Sequence, residues 1–393
     1  MRAIDVDERR RRIGLRHLLA SPGRSVERAA EAVVGLHSSD PASVYLSTWA
    51  RVRAFAPADL ERALYEDRTL VRMLGMRRTM FVVPRSLAAA MAEACATTYA
   101  AAERRRLVQM LEGQGVVEVG EGARWLERVL EAAIAAAERR GEATARELTS
   151  DVPELAHKLT FGQGKAWAGQ MGVSTRVLFL LATEGRIVRA RPLGSWTSGQ
   201  YRWSPVQRWL GAPLEQLDRA DAEADIVRRY LSAFGPATIT DVRWWTGWTA
   251  KVATRALEDA RAVEMRVDGG EAFVLSDDAK TTRARPSRWV GLLPGLDPTV
   301  MGWKERGWYL GEHERALFDR AGNAGPTVWA DGHVVGGWTQ RTDGRIVFEL
   351  LERVDTSTRT AIERERRRLE AWLGDVRIRA RFGTPFEKQL ASR

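Results

Sequence analysis

The sequence predicts an α+β chain in which tandem winged-helix units are followed by a small C-terminal domain of α+β or β-barrel-like character. Three observations predict it. A short motif recurs at residues 141–148 and 235–242, each copy leads into a second helix and a hairpin, and from about residue 288 the texture changes to strands and turns.

The two copies of the motif read GEATAREL and GPATITDV. They share a Gly, an Ala, a Thr, an acid three residues after the Thr, and an aliphatic residue next. Thr144 with Glu147, and Thr238 with Asp241, have the spacing of helix starts, where the hydroxyl accepts an early helix N–H and the acid favours the positive helix end. In the first copy a helix STRVLFLLATEG follows, with Val177, Leu178 and Leu181 on one face, and then a basic hairpin RIVRARPLGSWTSGQYRW. In the second the helix is TAKVATRALEDA and the hairpin AVEMRVDGGEAFVLS; both hairpins alternate apolar and polar residues and carry Gly at the turn. Helix, turn, helix, hairpin is the winged-helix plan, in which one helix enters a groove and the hairpin lies on the backbone or the next groove. An unrelated pair of capped helices would share the cap but not the order of all four elements. A more divergent third copy opens the chain, with helices at 6–20 and 25–36 and a wing strand in GMRRTMFVVP (75–84).

The expected boundaries are 1–125, 126–218 and 219–287 for the three units and 288–393 for the last domain. That last segment carries RWVGLLPG, PTVWADGHVVGGWTQ and GRIVFELLE, then a helix TRTAIERERRRLEAWLG. Asp331-Gly332 has the composition of a two-residue hairpin turn. Four domains suit 393 residues.

Composition narrows the partner. A formal net charge of +10 and a pI near 10.2 favour an acidic partner, of which nucleic acid is the commonest for a basic protein. Only six of the 61 Lys and Arg residues are lysines, so the charge also reflects an arginine-rich coding bias. The single cysteine, Cys95, excludes an intramolecular disulfide and a cysteine zinc site, and five scattered histidines suggest no metal. Asp5, Asp7, Glu8, Arg16 and His17 interrupt any apolar signal sequence, and no stretch approaches the ~20 apolar residues of a membrane span. A cytoplasmic monomer with no membrane contact and no cofactor is expected.

The chain resembles a known family, the winged-helix DNA glycosylases of the AlkZ and YcaQ type, which release alkylated bases and unhook crosslinks. The resemblance rests on AVVGLHSSDPASVYLSTWARV (32–52), EDRTLVRMLGMRRTMFVVP (66–84), STRVLFLLATEGRIVRARP (174–192) and VGLLPGLDPTVMGW (290–303), in the family's order. It implies three winged-helix domains and a C-terminal β-barrel domain around a concave channel for double-stranded DNA carrying alkylated bases. The family's catalytic pair follows a Gly-Leu as Gln-x-Gln or Gln-x-Asp. Here Gly35-Leu36 is followed by His37, Ser38, Ser39 and Asp40, so His37 and Ser39 stand at the two Gln positions and the acid is displaced by one residue.

The chemistry these residues offer is specific. An N7-alkylated guanine is already a cationic leaving group, so the enzyme's task is to stabilise positive charge on the sugar and to place a water. Asp40 suits oxocarbenium stabilisation or water activation. His37, titrating near neutral pH, suits holding that water or a phosphate, with Ser38 and Ser39 in support. The competing reading is local: Ser-Ser-Asp-Pro is also a good helix cap, with Asp40 capping a helix that begins at Pro41. No lysine lies in the first 157 residues, which argues against an amine nucleophile and for a monofunctional reaction leaving an abasic site.

For DNA contact the sequence nominates the hairpin residues Arg186, Arg189, Arg191 and Arg202, with Trp196 near the tip as a stacking group. Arg77, Arg78 and Thr79 stand on the corresponding strand of the first unit, and Lys251 and Arg255 on the outward face of the third unit's second helix. The competing reading is an ordinary solvated hairpin with the tryptophan folded onto the surface. FGQGKAWAGQM (161–171) is read as a loop near the channel. LPGLDPT (293–299) is read as a turn, HERAL (313–317) lacks the second His of a zinc-protease helix, and GQGKA (162–166) lacks the residues of a phosphate-binding loop. The function expected is release of bulky N7-alkylguanine adducts or crosslinks made by a genotoxic natural product, as in self-resistance. The alternative is a catalytically silent winged-helix regulator or DNA-structure binder.

Overall fold

In the computed structural model, residues 3–162, 164, 168–279, 286–378 and 381–392 are described. The first segment runs β1 (Ala3–Ile4), α1 (Val6–Arg16), α2 (Val26–Glu31), β2 (Leu36–His37), α3 (Pro41–Trp49), α4 (Pro57–Glu61), β3 (Leu70–Leu74), β4 (Met80–Pro84), α5 (Arg85–Met91) and α6 (Ala100–Gly113). The second runs α7 (Gly122–Arg140), α8 (Ala145–Asp151), β5 (Lys158–Phe161), β6 (Gly169–Gly172), α9 (Val173–Thr183), β7 (Ile187–Pro192), β8 (Tyr201–Pro205) and α10 (Val206–Leu210). The third runs α11 (Arg219–Phe234), α12 (Ile239–Thr246), α13 (Ala250–Asp259), β9 (Ala262–Val267) and β10 (Gly270–Leu275). The last comprises β11 (Val290–Leu293), α14 (Gly307–Leu310), α15 (Glu314–Leu317), β12 (Thr327–Ala330), β13 (His333–Gln340), β14 (Ile346–Leu350), α16 (Thr356–Leu373) and α17 (Pro385–Ser392). The result is a mixed α+β fold of many helices and small sheets.

The repeated Gly-x-Ala-Thr motif does two jobs in each copy. Thr144 Oγ1 accepts the Glu147 N–H at 3.2 Å while Glu147 accepts the Thr144 N–H at 2.7 Å. Thr238 and Asp241 repeat the exchange at 3.1 and 3.0 Å, so two orphan donors are satisfied at each helix start. The alanine before each Thr joins the wing. Ala143 exchanges both backbone hydrogen bonds with Trp203 on β8, and Ala237 does the same with Phe273 on β10. Both alanines are fully buried, which explains a small residue at that position. The echo is therefore the device that pins a helix to its own hairpin.

The first segment is not closed on itself. β1 pairs in parallel with β9 of the third segment, and β9 pairs with β10, giving a three-stranded sheet of order β1-β9-β10. Along α1, Arg16 donates to the Gly235 carbonyl and to Asp278, and Arg12 to the Asp278 carbonyl. The N-terminal helix thus packs on the third segment rather than only on its own. The core of the second segment, built from Leu126, Leu130, Leu148, Val177 and Leu181, draws in Leu107 and Leu111 of α6, as the apolar stripe of α7 anticipates. Each such fully buried leucine is worth about 1.5–3 kcal/mol.

The C-terminal strands form an antiparallel meander of order β11-β12-β13-β14, with α16 packed on β11 and β14 and α17 on β13 and β14. The Asp331-Gly332 turn joins β12 to β13 with both residues at positive φ, +48° and +89°. That is the type I′ geometry whose twist matches the flanking strands. Among the described residues no helix is long and apolar enough to cross a membrane.

A buried polar network ties α3 to the loop after β11. Arg51 donates to both carboxylate oxygens of Asp297 at 2.8 and 2.7 Å, to Thr299 Oγ1 at 2.7 Å and to the Ser47 carbonyl, while Ser47 Oγ donates to Asp297. Thr299 Oγ1 in turn meets His17 Nδ1 at 2.9 Å, and His17 Nε2 meets the Ala233 carbonyl at 3.1 Å. Arg51, Asp297 and His17 are all completely buried. Burial first, then the Arg51 charge, lower the His17 pKa to about 3. Below the ordinary value near 6.5 the unfolded chain takes up the proton and the folded chain does not, so this stability is full above about pH 6.5 and is lost as pH falls toward 3. Acidification from pH 7 to pH 5 should therefore cost roughly 2 kcal/mol more in the wild type than in His17→Gln. Urea denaturation of both proteins at the two pH values measures the difference, and equal losses would refute it.

Candidate active site and nucleic-acid interface

The segment nominated for catalysis leaves the helix immediately. After α2 the chain turns at Gly35, whose φ of +102° and a 2.9 Å approach of any Cβ to Val83 Cγ1 require glycine. Leu36 and His37 then pair with Val82 and Phe81 as the edge strand of the sheet β2-β4-β3. This register turns Leu36 wholly into the core and lays the His37 ring edge-on to Phe81, with centroids 5.0 Å apart.

His37 accepts the Ser39 N–H on Nδ1 at 3.4 Å, which leaves the ring proton on Nε2. Burial, and then the Arg77 charge, lower its pKa to about 3. The expectation of a histidine protonating near neutral pH is corrected on this point: the imidazole is neutral, able to hold a water but not to offer a positive charge to phosphate. Ser38 is buried, its N–H donating to the Met80 carbonyl, and its Oγ has no partner among the described residues. Ser39 is half-buried and its carbonyl accepts from the Arg381 guanidinium at 3.1 Å.

Asp40 caps α3, with Oδ1 accepting the Ala42 N–H at 2.9 Å and Pro41 at the first helical position. The capping reading is thus what the geometry contains. Its second oxygen accepts the Arg381 N–H at 3.0 Å, so the C-terminal segment is fastened onto the carboxylate. Each carboxylate oxygen keeps a further lone pair, so capping leaves room for chemistry. Asp40 stands at a seam. On one side lies an open cleft of about 910 Å³ lined by Pro41, Thr197, Gly199, Arg377 and Arg381. On the other lies a pocket of about 500 Å³ lined by Leu46, Leu296, Pro326, Trp338, Phe382 and Glu387, among others.

The surroundings of this seam are cationic. Arg72 is buried against Tyr201, to whose hydroxyl it donates, and Arg189 stacks on Tyr201 and Trp203 at 5.1 Å from each ring. Burial, with repulsion from Arg72 and Arg381, lowers the Arg189 pKa to about 10. None of the three has a carboxylate partner among the described residues. Arg77 likewise has none; it lies 4.1 Å over the Trp244 ring, which Arg306 also approaches at 5.1 Å. Of these, the partly exposed Arg77 and Arg189, stacked on aromatic faces with no carboxylate, are suited to phosphate, while Arg72 is buried behind them.

The other nominated DNA contacts divide. Arg78 pairs with Glu103, Arg186 with Glu131, Arg191 with Glu61 and Glu66, and Arg255 with Glu223 and Asp259. Thr79 Oγ1 donates to the Met76 carbonyl, Arg202 acts on the Glu147 carboxylate, and Lys251 is exposed. Trp196 is a correction. It is not a free tip but lies half-buried between Tyr45, at 4.7 Å, and Trp372, at 5.8 Å, because the hairpin docks onto α3 and α16. The tip of FGQGKAWAGQM includes residues 163 and 165–167, which lie outside the described residues; its arms form the β5–β6 hairpin.

Sequence reasoning missed the C-terminal contribution. Arg341, Arg377, Arg381, Glu387 and Lys388 line a further open cleft beside Asp40. The basic run RIRARF (377–382) was the available signal. Lys388 lies beyond the lysine-free first 157 residues, and folding brings it, with its chain neighbour Glu387, onto this cleft.

The family described as DNA glycosylase AlkZ-like matches residues 30–372. The chain belongs to the AlkZ-like DNA glycosylase family. An interstrand DNA cross-link repair glycosylase of Streptomyces sahachiroi is 31% identical over 154 residues, a stretch that covers 37% of this chain and 41% of that relative. The solved structure of Streptomyces sahachiroi DNA glycosylase AlkZ superposes with a TM-score of 0.72 at 22% identity, covering 96% of this chain and 98% of that one, a likeness of fold. Members of such a family are hydrolases of N-glycosidic bonds.

Arg189 and Arg77 lead the expected DNA contacts, because releasing Arg186 from Glu131 to reach a phosphate gains little. Arg189→Gln or Arg77→Gln should weaken duplex binding about tenfold at low salt and reduce the slope of log K against log salt by about 1, with Arg186→Gln within about twofold. Fluorescence anisotropy across a salt series measures this; equal effects in all three would show that carboxylate pairing does not sort the contacts.

Proposed function

We propose that the protein is a monofunctional DNA glycosylase that hydrolyses the N-glycosidic bond of alkylated purines in double-stranded DNA, bulky N7-alkylguanine adducts or crosslinks from a genotoxic natural product above all. The observation that carries this reading is the position of Asp40 at the seam between an arginine-lined cleft and an apolar pocket. The cleft suits a phosphate backbone and the pocket a planar ring, with the carboxylate between them. In this reading Asp40 balances charge developing on the sugar, neutral His37 with Ser38 and Ser39 holds the attacking water, and Arg77 and Arg189 grip the backbone. The similarity to the interstrand DNA cross-link repair glycosylase of Streptomyces sahachiroi supports a role in crosslink repair, and self-resistance is the further part of the proposal. The repeated helix-and-hairpin order supports three winged-helix units, at about 1–125, 126–218 and 219–287, with a barrel-like domain at 288–393, acting as a cytoplasmic monomer.

The test is incubation with duplex bearing a single N7-alkylguanine, small or bulky, and detection of free base and alkali-labile abasic sites. Release supports the enzyme; salt-sensitive binding without release from any lesion would favour the silent DNA-binding alternative. Borohydride present during turnover should trap no covalent adduct. An adduct that disappears in Lys388→Ala would instead make that amine the nucleophile.

A further inference from the structure

The pocket beside Asp40 holds a second carboxyl group that the reaction above does not use. Glu387, on α17, is 8% exposed, and its Oε2 is buried with no hydrogen-bond partner among the described residues. Its N–H donates to Thr384 Oγ1 at 3.2 Å and its carboxyl takes the Thr384 N–H in return, which fixes the start of the helix and orients the side chain. Both Asp40 and Glu387 line the same pocket of about 500 Å³, whose other walls include Leu296, Pro326, Trp338 and Phe382. Apolar walls with two carboxyl groups between them are the composition that receives a planar heterocycle, buried on its faces and met at its edge by oxygen.

The two carboxyls differ in what they accept. Asp40 receives two backbone N–H bonds, one on each oxygen, whereas the Glu387 carboxyl receives only the Thr384 N–H and its Oε2 has no partner among the described residues. Two carboxyls with different surroundings facing one site is the arrangement by which one acts as anion and the other as acid. We propose that Glu387 is a proton donor to the departing base, which extends the substrate class from cationic lesions to uncharged ones. This rests on the glycosylase reading.

In the step, Glu387 Oε2–H gives its proton to a ring nitrogen of the base as the C1′–N bond breaks, the bonding pair leaving with the base. The oxocarbenium ion is balanced by Asp40, water adds at C1′, and its proton passes to Asp40 and then to solvent, from which Glu387 is reprotonated. A base alkylated at N7 already carries the charge and needs no such proton. Burial, and then the Asp40 charge, raise the Glu387 pKa to about 7, opposed by the Thr384 N–H and Lys388, so a protonated fraction is present at neutral pH. The elements packed on α17 bring Glu314 and Arg315 on α15, His333 on β13 and Glu349 on β14. Asp40 and Lys388 are the charged groups that act on the Glu387 carboxyl.

The experiment compares two duplexes, one with a single 7-methylguanine and one with a single 1,N6-ethenoadenine, which is uncharged. Wild type should release both bases. Glu387→Gln should lose about 100-fold on the uncharged base and less than about threefold on the cationic one. Single-turnover release of ethenoadenine should fall as pH rises through about 7, and that decline should vanish in the variant. Retained release of 7-methylguanine reports that the variant is folded. Release of the cationic base alone by wild type, or an equal loss on both bases, overturns the proposal. Release of neither base overturns this inference, and the glycosylase reading falls with it only when a bulky N7-alkylguanine is also retained.

Discussion

Asp40→Asn is expected to slow release of an N7-alkylguanine by about 100- to 1,000-fold, the range seen when one electrostatic stabiliser of a developing charge is removed. The substitution is chosen because it separates charge from structure. Asparagine caps a helix about as well as aspartate, so its Oδ1 can still accept the Ala42 N–H. The contact to the Arg381 N–H is exposed to loss, at a cost of about 1 kcal/mol. Duplex affinity should stay within about threefold, because a carboxylate contributes nothing favourable to a polyanion. Single-turnover base release and anisotropy on the same duplex read the two quantities. Undiminished release in Asp40→Asn would remove Asp40 from the chemistry and leave it a cap.

The largest expected effect on stability lies at Asp297. Asp297→Ala should lower the unfolding free energy by about 3–5 kcal/mol, because the Arg51 guanidinium would remain wholly buried without its counter-charge. The Asp297 carboxylate is held below the ordinary carboxylate range by Arg51 in spite of its burial. Replacing both partners by apolar residues, as in Arg51→Met with Asp297→Leu, should cost less than the single change, since no charge is then stranded. Urea unfolding of the three proteins settles the order. A loss under about 1 kcal/mol in Asp297→Ala would mean that the network relaxes or hydrates. Asp297 also shapes the site at one remove: its loop supplies Pro294, Gly295 and Leu296 to the pocket wall beside Asp40.

Local signals in the sequence were legible where the physics is local. The Thr144 and Thr238 caps need only three residues of spacing, and the Asp331-Gly332 turn needs only two residues that tolerate positive φ. The same holds for the Asp40 cap. What lay beyond reach depended on distant pairing. LPGLDPT reads as a turn and is one, yet Asp297 within it is the buried partner of Arg51, 246 residues earlier. Trp196 reads as a tip residue because hairpin periodicity says nothing about what the hairpin docks against. His37 reads as a neutral-pH titrator until its burial and the approach of Arg77 are known.

The sequence by itself determined the family, the repeated cap, helix and hairpin, the basic character, and the His37–Asp40 segment, because each is carried by nearby residues or by their order. Only the tertiary structure decided which arginines lack carboxylates among the described residues, that the C-terminal segment closes on Asp40, and that Glu387 shares its pocket. The physical reason is that charge pairing, desolvation and enclosure depend on distances in space. Residue 387 stands beside residue 40 through contacts made in space, with the buried Arg51–Asp297 pair tying the first segment to the last.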